Sequence, residues 1–122
     1  MRILLVEDDE AVSRFVQACL IDDGHEVITA VSPDSALEAA GRDPQFDLLI
    51  ADLNLGATMD GADIAVTLQN RQPRMAVLMI TGLPYSARKR LANGRRAVIL
   101  GKPFVASDLL AAVDNATADL EI

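Results

Sequence analysis

LLVEDDE, residues 4–10, sets three apolar residues directly against four carboxylates. A run of large aliphatic side chains that stops this abruptly reads as a buried strand whose end emerges at a polar edge. The period then changes. Ala11, Val12, Phe15, Val16, Cys19 and Leu20 recur at helical spacing, and Gly24 follows as a natural stop. The stretch is therefore one strand, one acidic turn and one amphipathic helix. Asp9 and Glu10 stand where a helix dipole favours acids and where a side-chain oxygen can cap the first turn. Glu7 and Asp8 belong to the end of the strand.

The same unit recurs along the chain. Apolar runs at 3–6, 26–30, 48–51, 76–80 and 97–100 are the strand candidates, and they are mostly continuous, as expected when both faces of a parallel sheet are covered. Pro33-Asp34 opens a second helix behind Ser32, a suitable N-cap. A third helix begins after Asp60-Gly61 and a fourth after Pro84. The fifth spans about 106–119, with Val105, Leu109, Leu110 and Val113 on its inner face. Right-handed crossovers turn this alternation into an α/β fold with a doubly wound, five-stranded parallel sheet flanked by five helices.

Length and composition agree. A chain of 122 residues falls in the range of one domain, and 51% hydrophobic residues with only 3% aromatic imply an aliphatic core. A net charge of −7 disfavours nucleic acid or an anionic membrane as direct partner. A small cation or a basic protein patch fits better. The single cysteine, Cys19, excludes an internal disulfide and, with no paired ligand spacing, a zinc site. The opening MRILLVEDD reaches acid too early for a signal peptide or a membrane span, which makes the cytoplasm the expected location.

In a doubly wound sheet the ligand crevice lies outside the carboxyl ends of the strands. The sequence places Glu7-Asp8-Asp9 at the end of the first strand, Asp52 at the third, Thr81 at the fourth and Lys102-Pro103 at the fifth. Packed carboxylates repel one another, so the cluster predicts a bound cation. All-oxygen ligation points to Mg²⁺ or Mn²⁺. Asp52, alone at its strand end, suits a nucleophile that accepts a phosphoryl group as an acyl phosphate. Thr81 can hydrogen-bond one phosphoryl oxygen and Lys102 can neutralise another.

VEDD at 6–9, DLNL beginning at Asp52, TG at Thr81 and KPF at Lys102 together resemble the receiver domain of two-component response regulators, over essentially the whole chain. The resemblance implies a flavodoxin-like fold with strand order 2-1-3-4-5 and one receiver domain over 1–122. It implies that Asp52 is the phosphoacceptor, charged by a histidine kinase or a histidine phosphotransfer protein. Mg²⁺ is then bound by Asp8, Asp52 and the backbone carbonyl of Asn54, with Glu7 acting through water. Thr81 and Lys102 contact the phosphoryl group, and the Lys102-Pro103 peptide is cis. Such a protein catalyses only its own phosphorylation and dephosphorylation. Its output passes through the face of the fourth helix, fifth strand and fifth helix to a downstream partner, an effector domain outside this chain or a second copy. Two rival readings are a pseudo-receiver that binds proteins without phosphorylation and a haloacid-dehalogenase-type phosphohydrolase. The hydrolase wants an acid two residues after its nucleophile, where this chain has Asn54.

The chain also departs from the family pattern. DLNLGATMDG reaches its glycine one residue late and carries Gly56 where a Pro is usual, giving a longer loop over 56–60. The switch position, commonly aromatic, is Ile99, so a rotating ring is not the signal. Gly82 and Leu83-Pro84 replace a more common Ala, and Asn54 and Leu83 are candidates for gating water. Arg88, Lys89, Arg90, Arg95 and Arg96 are five of the 11 basic residues and read as a solvated face with a second role in docking. Phe104 is expected as a plug beneath the last helix, Cys19 as a small buried hydrophobe and His25 as a lone surface histidine. Only TADLEI follows the fifth helix, so no DNA-binding or enzymatic effector is expected here.

Overall fold

A computed structural model describes residues 1–42, 45–53, 61–82 and 97–118. Along them run β1 (Arg2–Val6), α1 (Glu10–Asp22), β2 (Glu26–Ala30), α2 (Pro33–Arg42), β3 (Leu48–Asp52), α3 (Gly61–Arg71), β4 (Ala76–Thr81), β5 (Val98–Gly101) and α4 (Ala106–Thr117). The fifth expected helix is thus α4. The helix expected after Pro84, the loop over 56–60, Asn54, Leu83 and the basic cluster at 88–96 lie outside the described residues.

The sheet is parallel throughout, in the order β2-β1-β3-β4-β5. Its continuous apolar strands cover two cores, because successive side chains point to opposite faces. Leu4, Val6, Leu49, Ala51, Val77 and Met79 face α2 and α3, where Ala36, Ala40, Ile64, Ala65 and Leu68 close over them. Ile3, Leu5, Leu48, Ile50, Leu78 and Ile80 face α1 and α4, against Val16, Leu20, Leu109, Ala112 and Val113. Full burial of each large aliphatic side chain stabilises by roughly 1.5–3 kcal/mol, which is why an aromatic-poor chain can hold this fold.

The helix ends follow from local chemistry. Asp9 caps α1, its carboxylate accepting from the N–H groups of Ala11 at 2.9 Å and Val12 at 3.2 Å. At the other end Gly24 takes φ +89°, a region that a side chain makes costly. The N–H of His25 then reaches the Leu20 carbonyl and that of Gly24 the Ile21 carbonyl, both at 3.0 Å, which closes the helix in a Schellman turn. Ser32 begins α2 as expected, its Oγ accepting from the Ser35 N–H at 3.2 Å.

Four expectations about individual side chains change. Phe15 is 42% exposed and Val105 60% exposed, so neither lies on the inner face of its helix. Cys19 is half-buried at the edge of the core. His25 is not a lone surface residue: its Nδ1 lies 3.1 Å from the Met1 ammonium and its Nε2 3.1 Å from Asp23 Oδ2. Phe104 does pack beside the core of α1 and α4, with its ring 6.1 Å from that of Phe15.

Candidate functional site

Strand register brings the polar strand ends to one level. Val6 pairs with Ala51, Asp52 with Ile80 and Thr81 with Gly101, so the residues that leave these strands emerge along a common rim. The main chain holds that level beyond the ladders: Leu53 N–H donates to the Ile80 carbonyl at 2.9 Å and Lys102 N–H to the Thr81 carbonyl at 2.8 Å. The Lys102-Pro103 peptide is cis.

Glu7, Asp52 and Thr81 are buried at 2%, 5% and 2% exposure, whereas Asp8 is exposed. Lys102 leaves the edge strand β5 and reaches inward along the rim. Its Nζ lies 2.6 Å from Asp52 Oδ2 and 3.1 Å from Glu7 Oε1. The other Glu7 oxygen accepts the N–H of Asp8 at 3.1 Å. One ammonium therefore holds together two buried acids that come from different strands.

The balance is negative even so. Burial pushes the Glu7 carboxyl up from 4.5 to about 7, the hydrogen bond and charge of neighbouring Asp52 add to that push, and Lys102 opposes it only in part. Lys102 is shifted upward as well. Burial alone would lower it, but its hydrogen bonds to Asp52 and Glu7 and their charges outweigh that cost. Such a site gains by taking up positive charge.

The donor set suits a hard divalent cation. Glu7, Asp8 and Asp52 each offer a carboxylate oxygen, and these oxygens lie within 4.8 Å of one another. The Lys102 ammonium already stands against two of them as a cation would. Asn54, expected to add its carbonyl, lies outside the described residues.

Gly61, which the sequence marked only as the end of DLNLGATMDG and the lead-in to the third helix, also shapes the site. A Cβ at this first residue of α3 would lie 2.4 Å from the Asp52 carbonyl oxygen and 2.7 Å from Met79 Cε. Its N–H donates to the Leu53 carbonyl at 3.2 Å. The helix start can seat against the main chain of Asp52 only because residue 61 has no side chain.

The family model of the response regulator receiver domain matches residues 3–114. The chain belongs to the receiver domains of response regulators. Response regulator protein FleR of Pseudomonas aeruginosa is 36% identical over 112 residues, which cover 89% of this chain and 23% of FleR. The receiver thus spans about a quarter of that relative's length. Response regulator receiver protein CpdR of Brucella abortus is 32% identical over 115 residues, covering 93% of this chain and 94% of CpdR. A receiver domain structure from Clostridium thermocellum superimposes with a TM-score of 0.86 at 28% identity, over 98% of this chain and 96% of that one. The expected fold and strand order are those observed, and the chain stands among signalling proteins of two-component systems, so neither rival reading is favoured. Among the described residues no helix of this receiver is long and apolar enough to cross a membrane.

Proposed function

We propose that this receiver is a cytoplasmic phosphoacceptor switch in which Asp52 takes the phosphoryl group of a histidine kinase or histidine phosphotransfer protein. The observation that carries the reading is the 2.6 Å contact between Lys102 Nζ and Asp52 Oδ2 beside the buried carboxyl of Glu7. An Asp52 oxygen forms the new P–O bond as the P–N bond of the phosphohistidine breaks, and the imidazole leaves with the bonding electron pair. Lys102 stands where it neutralises a phosphoryl oxygen, and the Thr81 hydroxyl donates to another. Asp8, Asp52 and, through water, Glu7 would hold Mg²⁺ or Mn²⁺ together with the carbonyl expected from Asn54, and the ion would supply positive charge against the phosphoryl oxygens. The protein catalyses only this self-modification and its reversal.

The acyl phosphate adds about 1.5 to 2 negative charges at the end of β3. Lys102 then exchanges its contact with Asp52 for one with the phosphoryl group, and the shift is passed to β5 and α4. Ile99, half-buried on β5, moves as part of the packed edge and not as a rotating ring. The altered face changes its affinity for a downstream protein or effector domain, as a shift between two populations.

Incubation with Mg²⁺ and acetyl phosphate, read by intact mass, tests the reading. The wild type gains the mass of one phosphoryl group and Asp52→Asn gains none. Equal gain in both proteins would overturn the assignment of Asp52. No gain in the wild type, with no response of its NMR spectrum to beryllofluoride and Mg²⁺, would favour the pseudo-receiver.

A further inference from the structure

RQPR, residues 71–74, carries the chain out of α3 toward β4. Pro73 presets φ for the second position of a tight turn, and the Met75 N–H closes that turn on the Gln72 carbonyl at 3.0 Å. Gln72 also reaches across to the segment that leads into β3, where its Oε1 accepts the Phe46 N–H at 3.1 Å. The Ala76 N–H donates to the Asp47 carbonyl at 3.0 Å, and the Gln69 amide donates to the Met75 carbonyl at 3.1 Å. Two loops are thereby fixed against each other. A cleft of about 410 Å³ lies between them, at the amino ends of β3 and β4 and so opposite Asp52.

Phe46 and Met75, both buried, form the floor of the cleft and Pro73 an exposed apolar wall, while Asp47, Gln72 and Arg74 add polar groups. Because the Gln72 oxygen is engaged, its NH₂ is the end left to donate, and it has no partner among the described residues. Arg2 and Arg42 are matched with Glu26 and Glu38. Arg71 and Arg74 are exposed and have no ion-pair partner among the described residues.

We propose that this cleft docks an extended acidic and apolar segment of a partner protein, with a carboxylate on Arg74 and Gln72 and an apolar side chain over Phe46 and Met75. The lining chooses the occupant. A guanidinium and an amide NH₂ are donors for an anionic oxygen. Asp47 brings a carboxylate to the same cleft, which disfavours a phosphate dianion and can accept a main-chain N–H of a peptide. The volume falls in the range of ligand pockets, about 300–1,000 Å³. The chain as a whole carries −7, so an acidic partner settles where cations are unmatched, as they are at Arg71 and Arg74. Since the two walls are already hydrogen-bonded to each other, docking orders little of the receiver. A partner held at this end leaves the phosphoryl site open.

NMR of the isotope-labelled full chain, titrated with a blocked peptide of alternating Glu and Leu, tests the proposal, with circular dichroism to verify folding of each variant. The wild type shows saturable shifts at the Gln72 side-chain amide and at the N–H groups of Phe46 and Met75, and added salt weakens the binding. Arg74→Glu weakens it about tenfold, because an attraction becomes a repulsion. Gln72→Glu keeps an oxygen for the Phe46 N–H but removes the donor, and weakens binding by a similar factor. Absence of saturable shifts, equal binding of a peptide with Gln in place of Glu, tighter binding of inorganic phosphate at the same groups, or unchanged binding by Arg74→Glu overturns the proposal.

Discussion

The two ends of the parallel sheet use similar residues and treat them in opposite ways. At the amino ends, Arg2 pairs with Glu26 at 2.9 Å, donates to the Gln45 carbonyl at 3.2 Å and lies over the Phe46 ring at 5.0 Å. Its own N–H donates to Asp47 Oδ2 at 2.9 Å, and Gln72 accepts the Phe46 N–H at 3.1 Å. Charges there are matched, partly exposed and used to fasten loops. At the carboxyl ends one ammonium serves two buried acids with a third beside them, and Glu7 is pushed to about 7. The same alternation that stacks the strands also brings helix N-termini to the carboxyl rim, where their dipoles favour negative charge. The fold can therefore hold an excess of carboxylates at one end while it neutralises the other. Stability is invested in the amino rim and reactivity in the carboxyl rim.

Substitutions at Gly61, Glu7, Asp9, Asp8 and Arg2 break or sharpen that contrast. The largest stability effect belongs to Gly61→Ala, because its Cβ would press on the Asp52 carbonyl and Met79. Overpacking of this kind costs about 1–3 kcal/mol in urea unfolding and should also slow phosphoryl uptake. Adding Met79→Ala should recover only part of the loss, since the contact with the main chain remains.

The next is a pH effect specific to the carboxyl rim. Between pH 4.5 and about 7 the folded protein keeps a proton on Glu7 that the unfolded chain has released. The stability that this group contributes is full below pH 4.5 and is lost as the pH rises through about 7. Urea melts across this window should show the slope in the metal-free wild type, and Glu7→Gln should flatten it. Mg²⁺ affinity has the opposite sign, rising over the same range as the carboxyl ionises.

Asp9→Ala should cost about 1 kcal/mol, the value of an N-cap, while leaving the response to Mg²⁺ titration in place. Asp8→Asn should weaken that response at little cost in stability. The reverse pattern would exchange their roles. The smallest effect is that of Arg2→Ala at the amino rim. Exposed ion pairs and a cation–π contact together contribute about 0.5–1 kcal/mol, and phosphoryl uptake should be unchanged.

Much of the carboxyl rim is legible because buried parallel strands must be apolar until they surface. The places where VILG-type runs meet Glu7, Asp52, Thr81 and Lys102 therefore announce themselves. Strand boundaries move by one residue where the ladder continues into a polar position, as when β3 takes in Asp52 and β4 takes in Thr81. Phe15 and Val105 were misplaced for a different reason. Helical period shows which residues share a face, but a helix with apolar residues on both sides does not say which side meets the sheet. His25 could not be read at all, because its partners Met1 and Asp23 come together only when β2 lies beside β1 and α1 turns back at Gly24.

By itself, then, the chain determined the order of its strands and helices, the caps at Asp9 and Ser32, and the rim on which its chemistry gathers. These depend on local period and on where polar groups interrupt apolar runs. Tertiary structure alone decided that Lys102 bridges Glu7 and Asp52, that the Glu7 carboxyl is pushed up to about 7, and that Gly61 must lack a side chain. Each of these depends on burial and on distances between strands far apart in the chain, and no local pattern carries that information.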